Sequence, residues 1–508
     1  MDITQTMAHE IDAALVSQWS DRKFRLNTLY AIVDKRGNVS KFTLNTAQDK
    51  LLDDLHYLNI ILKARQLGFS TLILVMALDA CLFNSNYSAG LIADTLDNAK
   101  ALLDRIKFAY ERLPDVLKAQ IPVTTDNKEN IEFGNGSSVR VGTSLRSGTY
   151  NFLHISEYGK ICAKFPDKAN EIKSGALNTV APRQLVFIES TAEGKAGDFY
   201  DKALAAEKLH DAQRQPGEME YKFHFFPWMD DPAYTSDVQT QHTDEDNAYW
   251  VELANKGIKL TTGQKNWYSA KRKEQGADMW KEFPTTPDEA FKAIRDGAYF
   301  AKDIQNLRIR KAIGKLPYFA GCEVHTAWDF GLNDATSIWL FQVVAGKHRF
   351  VGYHEASGEG LGYFFDWLGR WRSIHSATFG RHLAPHDVDA QRHGQDGRVT
   401  SIKDIARGLG YQFETVKRTT DKLNSIQAVR AKLPQCEFDE EACLVGLNHL
   451  ENYTRDWDDN LGVWKSKPRH DEHSHAADAF MTFADGFQEK AAFVDPWTTS
   501  KHKRAVYA

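Results

Sequence analysis

The segment Lys63-Ala-Arg-Gln-Leu-Gly-Phe-Ser-Thr71 constrains the fold more than any other stretch of this chain. A short apolar run, Tyr57–Leu62, precedes it, and an apolar run from Thr71 to Phe83, of a length that suits a helix, follows it. Strand, loop and helix in that order build a phosphate loop. Its parts are backbone N–H groups at a helix N-terminus, a cation for the phosphates and a hydroxyl for Mg²⁺. The common form is Gly-x4-Gly-Lys-Ser/Thr. Here Gly68 and Ser70 take the second glycine and hydroxyl positions, Phe69 stands at the lysine position, and Lys63 stands where the first glycine does. A lysine at the front of the loop reaches the same phosphates, with Arg65 as a second donor. The residues alone leave open which of the two holds them.

A phosphate loop needs a carboxylate at the end of a neighbouring strand. Phe152-Leu-His-Ile-Ser-Glu157 supplies Glu157 after an apolar run, with Ser156 where an aspartate usually sits. Glu157 then orients the attacking water, while Mg²⁺ relies on Ser70 and waters. A third apolar run, Leu185–Ser190, ends in Thr191-Ala-Glu-Gly194, and small polar residues there suit a sensor of the γ-phosphate. A further strand is expected at Ala89–Ala93, an amphipathic helix over Asn98–Leu113, and a hairpin over Ile131–Val139 turning at Asn135-Gly136. Strands alternating with helices predict a largely parallel sheet, hence an α/β domain.

The style changes after a junction over residues 280–318. Val324–Phe330, Thr336–Val344 and Arg349–Glu355 read as three strands on short loops, the second pair joined near Gly346, with helix, strand and helix beyond. This is a second α/β domain with an antiparallel start. Asp329 sits at the edge of the first strand, the run Arg381–Asp387 ends in an acid, and Asp478 falls one helical turn past His475. Two-metal phosphodiester hydrolysis needs three or four carboxylates converging on ions roughly 3.5–4 Å apart. Mg²⁺ and Mn²⁺ prefer oxygen ligands. Asp329, Asp387 and Asp478 are therefore the expected metal ligands, with Glu355, Asp389, Asp471 and His475 behind them. The histidines at 470, 473 and 475 lack a zinc-site spacing or a cysteine partner.

Composition excludes less. At 508 residues the chain has room for two or three domains, and 42% hydrophobic with 26% charged residues is the balance of a soluble globular protein. Apolar runs fall far short of the ~20 residues of a membrane span. The first residues lack a signal-peptide pattern, and five cysteines without paired spacing read as reduced thiols. A net charge of −5 does not announce a nucleic-acid binder. Local basic runs, Lys302–Lys315 and Lys465–Arg469, can still act within a Debye length of ~8–10 Å.

Taken together, these segments resemble the large terminase subunit of tailed bacteriophages, an ATP-driven DNA packaging motor. The Lys63–Thr71 loop resembles that family's variant Walker A, Ile155-Ser-Glu157 its Walker B, and Ser190-Thr-Ala192 its coupling motif. Gln48 matches the adenine-reading glutamine, Glu282–Phe291 the signature closing the ATPase domain, and Pro-His-Asp387 and His-Ala-Ala-Asp478-Ala the second and third acidic nuclease motifs. Arg146 is the candidate for an arginine supplied in trans between subunits. The missing Walker B aspartate is a departure from the family.

The resemblance implies an N-terminal P-loop NTPase of the ASCE type with a parallel sheet, and a C-terminal ribonuclease-H-like α/β nuclease domain. Expected boundaries are a helical preamble over 1–40, the ATPase over 41–300, a linker over 301–317, the nuclease over 318–490 and a flexible basic tail over 491–508. It also implies ATP, and Mg²⁺ with Mn²⁺ able to substitute, in both sites. Implied partners are double-stranded DNA, a small terminase subunit, a portal and a homo-oligomeric ring, with no membrane. The implied location is the host cytoplasm, docked transiently on the procapsid and absent from the mature virion. A helicase–nuclease of DNA repair would need further helicase motifs between 195 and 320. A DNA-binding scaffold with a dead phosphate loop would show no ATP turnover.

Overall fold

A computed structural model of the chain describes residues 17–292, 297–331, 334–393, 399–419, 421–458, 461 and 463–488. The start of the expected preamble and the basic tail over 491–508 lie outside the described residues. The chain divides into two compact units. The first runs to residue 296 and takes in 457–463; the second holds the remainder.

In the first unit, β1 (Ala31–Val33) and β2 (Val39–Lys41) form a small hairpin that turns through Lys35-Arg-Gly-Asn. The main sheet comprises β3 (Leu58–Lys63), β4 (Ser88–Ile92), β5 (Val123–Asp126), β6 (Asn130–Phe133), β7 (Ser138–Gly142), β8 (Tyr150–Ser156), β9 (Val180–Ser190) and β10 (Lys222–Phe226). Their spatial order is β10-β3-β9-β8-β4-β7-β6-β5. From β10 through β7 every pairing is parallel, and β6 and β5 extend the sheet antiparallel. β9 thus separates the phosphate-loop strand β3 from β8, the arrangement of the ASCE class. Helices cover both faces, so the inner strands are buried on both sides and read as apolar runs rather than alternations.

The helix Phe69–Phe83 is buried along nearly its whole length. Its one acid, Asp79, is inside the core and is gripped by the Arg25 guanidinium through bonds of 2.9 and 2.7 Å, with the Tyr30 hydroxyl at 2.9 Å. Stranding that carboxylate by removing Arg25 would cost about 3–5 kcal/mol. The described part of the preamble is therefore tied into the core of this unit. It is not a separate element.

The second unit is built on β11 (Ile313–Gly314), β12 (Val324–Asp329), β13 (Ala335–Val344), β14 (Lys347–Ser357), β15 (Phe379–Ala384), a minor pair β16 (Arg392–His393) and β17 (Val399–Thr400), β18 (Phe413–Thr415) and β19 (Cys436–Asp439). The seven-stranded order is β11-β19-β14-β13-β12-β15-β18. β12, β13 and β14 are antiparallel neighbours, and β15 and β18 continue parallel on the far side of β12. Three antiparallel strands in chain order, then two parallel strands beyond the first, is the ribonuclease-H-like arrangement. The helix Ser474–Gly486 packs across this sheet, burying Ala477, Phe480 and Phe483 in its core. The expected linker over 301–317 is core structure instead. The helix Ala301–Ile309 buries Ile304 and Leu307 among the same residues. Its charged face carried the sequence signal and hid the apolar one.

Candidate active sites

In the first unit four polar side chains share one face of the sheet. Ser156 is paired with Glu189 across β8 and β9, and Ile61 is paired with Glu189 across β3 and β9. Side chains alternate along a strand, so Lys63, two residues past Ile61, and His154, two before Ser156, emerge on the side of Glu189. The Lys63 ammonium lies 3.0 Å from Glu189 Oε2 and 3.2 Å from Glu157 Oε1. The hydroxyls of Ser70 and Ser156 donate to Glu189 Oε1 at 2.7 and 2.9 Å, and His154 Nε2 is 3.3 Å away. Burial alone would pull the Lys63 ammonium down, but the charges of Glu189 and Glu157 outweigh it and its pKa is raised. For Glu189 burial works upward, and Lys63 with His154 brings the carboxyl below its ordinary range.

Glu157 closes β8 with φ of 55°, in the left-handed region, as the cap of the helix Tyr158–Lys164. That conformation costs a residue with a Cβ roughly 1–2 kcal/mol. It is held where Glu157 meets the lysine. Gly68 caps the helix Phe69–Phe83 at φ of 81°, and a Cβ there would sit 2.9 Å from Gln48 Nε2. No side chain caps this helix, so its first amides face the loop. Thr71 lies within the first turn of the same helix.

The other expected residues fall in several places. Gln48 donates to the Gly68 carbonyl at 2.8 Å and accepts from the Asn45 amide at 3.0 Å, so it braces the loop and caps its own helix. Arg65 turns away from Lys63 and pairs with Glu282 at 2.8 Å. The Arg65 amide also donates to the Glu282 carbonyl at 2.8 Å, and the Tyr234 hydroxyl to the Arg65 carbonyl at 2.7 Å. Of the two cations left open by the sequence, Lys63 is the one beside the acids. The Ser190 hydroxyl accepts from the Gly159 amide at 3.0 Å, and Thr191 follows it, buried. Arg146 pairs with Glu171 of its own unit at 2.8 Å. Glu189 and Glu282 were not expected at this site. The first was hidden inside an apolar strand, the second inside a motif noted only as a whole.

In the second unit, parallel pairing of β12 and β15 brings Asp329 and Asp387 to the same sheet edge, and the helix Ser474–Gly486 adds Asp478. All three line a cavity of about 440 Å³, together with Lys422, Asp485 and Arg418. Asp387 Oδ1 and Asp478 Oδ1 are buried and have no hydrogen-bond donor among the described residues. Oxygens of that kind suit a divalent cation, so the donor set fits Mg²⁺ or Mn²⁺. Burial and the charge of Asp478 raise Asp329 to about 6 against the pull of His475, whose Nδ1 is 3.1 Å from Asp329 Oδ2. Asp329 in turn raises His475.

Lys422 donates to Asp478 Oδ2 at 2.8 Å, and Asp485 accepts the hydroxyls of Ser425 at 2.6 Å and Thr419 at 3.1 Å. Neither residue was expected here. Lys422 reaches the site from a helix start with no motif, and Asp485 lies two turns beyond Asp478. Glu355 instead lines a neighbouring cavity with His475, and His449 Nε2 is 2.9 Å from it. Asp389 is held by Lys403 at 3.0 Å and Thr415 at 2.8 Å, and Asp471 accepts the His473 amide at 3.1 Å. The three histidines do not converge on one point: His473 faces His449, whereas the rings of His470 and His475 lie 5.6 Å apart beside Asp334, with Ser474 facing His470 and Asp329 facing His475.

A P-loop NTPase of the ASCE type joined to a ribonuclease-H-like domain is the class these sheets define. The solved structures to which the chain is similar are large terminases of several phages, covering most of it. With the large terminase of bacteriophage HK97 it shares 12% identity over 91% of this chain and 99% of that one, at a TM-score of 0.42. With the large terminase of a thermophilic bacteriophage, solved in complex with ADP, the figures are 12%, 86% and 95%, at 0.30. The large terminase ATPase domain of Thermus phage P74-26 gives 16% over 49% of this chain and 94% of that one, at 0.35. No family model matches the sequence.

Proposed function

We propose that the chain is a terminase large subunit. Its first unit hydrolyses ATP to move double-stranded phage DNA into a procapsid. Its second unit cuts concatemeric DNA to begin and end packaging. The observation that carries this reading is a pair of sites on one chain: Lys63, Ser70, Glu157 and Glu189 behind a phosphate loop, and Asp329, Asp387 and Asp478 on one cavity.

In the first site the loop amides and Lys63 hold the phosphates, and Glu157 accepts a proton from the attacking water. Ser190 and Thr191, on the strand beside the loop, report the departure of the γ-phosphate. In the second, Asp329, Asp387 and Asp478 would hold Mg²⁺ or Mn²⁺, which supplies Lewis acidity and a nucleophilic water at neutral pH. His475 fixes the orientation of Asp329, and Lys422 holds the second oxygen of Asp478. Among the described residues no helix is long and apolar enough to cross a membrane. We place the chain in the host cytoplasm, in a ring on the portal, with a small subunit choosing the DNA site and Arg146 completing a neighbour's site.

Supercoiled plasmid incubated with the chain and Mn²⁺ or Mg²⁺ tests the reading. Wild type should linearise it and Asp329→Asn should not, while Lys63→Ala should lose ATP turnover and keep cutting. A folded wild type that neither cuts nor turns over ATP overturns it.

A further inference from the structure

Ser156 leaves the first unit without the acid that usually holds the loop hydroxyl from the neighbouring strand. A carboxylate nevertheless occupies that space. Glu189 comes from β9, the strand inserted between β3 and β8, and is directly paired with Ser156. It is fully buried, and its Oε1 receives the Ser70 and Ser156 hydroxyls while Oε2 faces the Lys63 ammonium. We propose that Glu189 takes over the role of the missing aspartate, holding Ser70 and presenting the negative charge against which the divalent cation of the bound nucleotide is seated. The inference rests on the ATPase reading of this unit.

The geometry separates the two acids by task. The carboxylate of Glu157, half exposed and at the strand end, touches Lys63 alone among the described side-chain hydrogen bonds. Glu189, the penultimate residue of β9 and closed from solvent, touches the loop hydroxyl itself. A buried carboxylate is costly unless its oxygens are matched, and here two hydroxyls and an ammonium match them. Binding of a cation at Ser70 then needs no large rearrangement: the ammonium of Lys63 can turn to the phosphates while the carboxylate keeps Ser70 in place. A merely structural role, balancing Lys63, would make the same contact with Lys63 but gives no reason for the Ser70 bond. Glu189 is therefore a positioning residue, acting through Ser70.

The test reads the ratio of affinities for a fluorescent ATP analogue with Mg²⁺ and with EDTA. For wild type we expect Mg²⁺ to tighten binding about tenfold, the equivalent of 1.4 kcal/mol. Glu189→Gln should abolish that ratio while leaving binding in EDTA within about threefold. Because Ser156 and Glu189 are cross-strand partners, Ser156→Asp combined with Glu189→Ser moves the carboxylate one strand across. The ratio should return. This double variant also stands in if Glu189→Gln does not fold. A folded Glu189→Gln that keeps the wild-type ratio overturns the assignment, as does a double variant that folds and lacks it. A loss of binding equal in Mg²⁺ and EDTA marks a structural role and overturns it too. Wild type that binds no nucleotide in either condition would instead end the ATPase reading.

Discussion

Glu157 and Glu189 show how little of a residue's role is visible in its own neighbourhood of sequence. Both end apolar strands, both reach Lys63, and only Glu157 stands where a motif would put it. Its left-handed backbone at φ of 55° marks a site where the fold spends stability on placement. Glu157→Gln keeps the size and the backbone but cannot take a proton. It should lower ATP turnover at least about 100-fold while leaving nucleotide affinity within threefold. Turnover rate against analogue affinity, measured on the same preparation, checks this. A proportional loss of both would mean that Glu157 binds rather than reacts.

Along the elements, much was legible. β3, β4, β8 and the β12–β14 meander lie within a residue or two of the runs that predicted them, because buried parallel strands and short hairpins leave strong local signals. β5 and β10 were not singled out: each is short and lies at an edge of its sheet. Glu189 was illegible for a different reason. Its partners come from two other segments, Lys63 and Ser70 from the phosphate loop and Ser156 from the end of β8, and only the β3-β9-β8 order brings them together. Asp329 and Asp387 could be read because each stands at or just past the end of a strand, and Asp478 because it falls one helical turn past His475 in the run His-Ala-Ala-Asp-Ala. Lys422, at a helix start without a motif, and Asp485, two turns beyond Asp478, could not.

The seam between β12 and β15 also sets a pH limit. His325 Nδ1 accepts the Arg381 amide at 2.9 Å, and His382 Nδ1 lies 2.6 Å from the Thr326 hydroxyl, which itself accepts from Trp328. The His325 ring is thus an acceptor at Nδ1. Burial, then the charge of Arg381, lowers His325 to about 4, and burial, then His325, lowers His382 to about 4. Folded values below the unfolded one mean stability that is complete above pH 6.5 and lost as pH falls toward 4. At pH 5 the loss is on the order of 1–2 kcal/mol for each ring. Thermal unfolding from pH 7.5 to 5 should show it, with a shallower slope for His382→Gln. Parallel slopes would remove the seam as the cause.

At the scale of the whole chain the two candidate sites draw on separate residues and separate cores. Asp387→Asn should therefore abolish plasmid cleavage and leave ATP turnover within about twofold, since single substitutions at sites that share no partners act independently. Loss of both activities at unchanged thermal stability would contradict that independence. The phosphate loop adds a constraint on how the first unit is made. Its Ala64 and Arg65 amides donate to the carbonyls of Phe226 and Glu282. The loop is thus written early in the chain but finished late. On the proposed reading, a nascent unit whose core strands have collapsed before Glu282 leaves the ribosome should be folded yet blind to nucleotide. Nascent chains halted with residue 275 just emerged should capture no ATP analogue, whereas those halted with residue 330 emerged should. On the proposed reading of the chain as a ring motor, that delay would keep half-made subunits from firing before they can be built in.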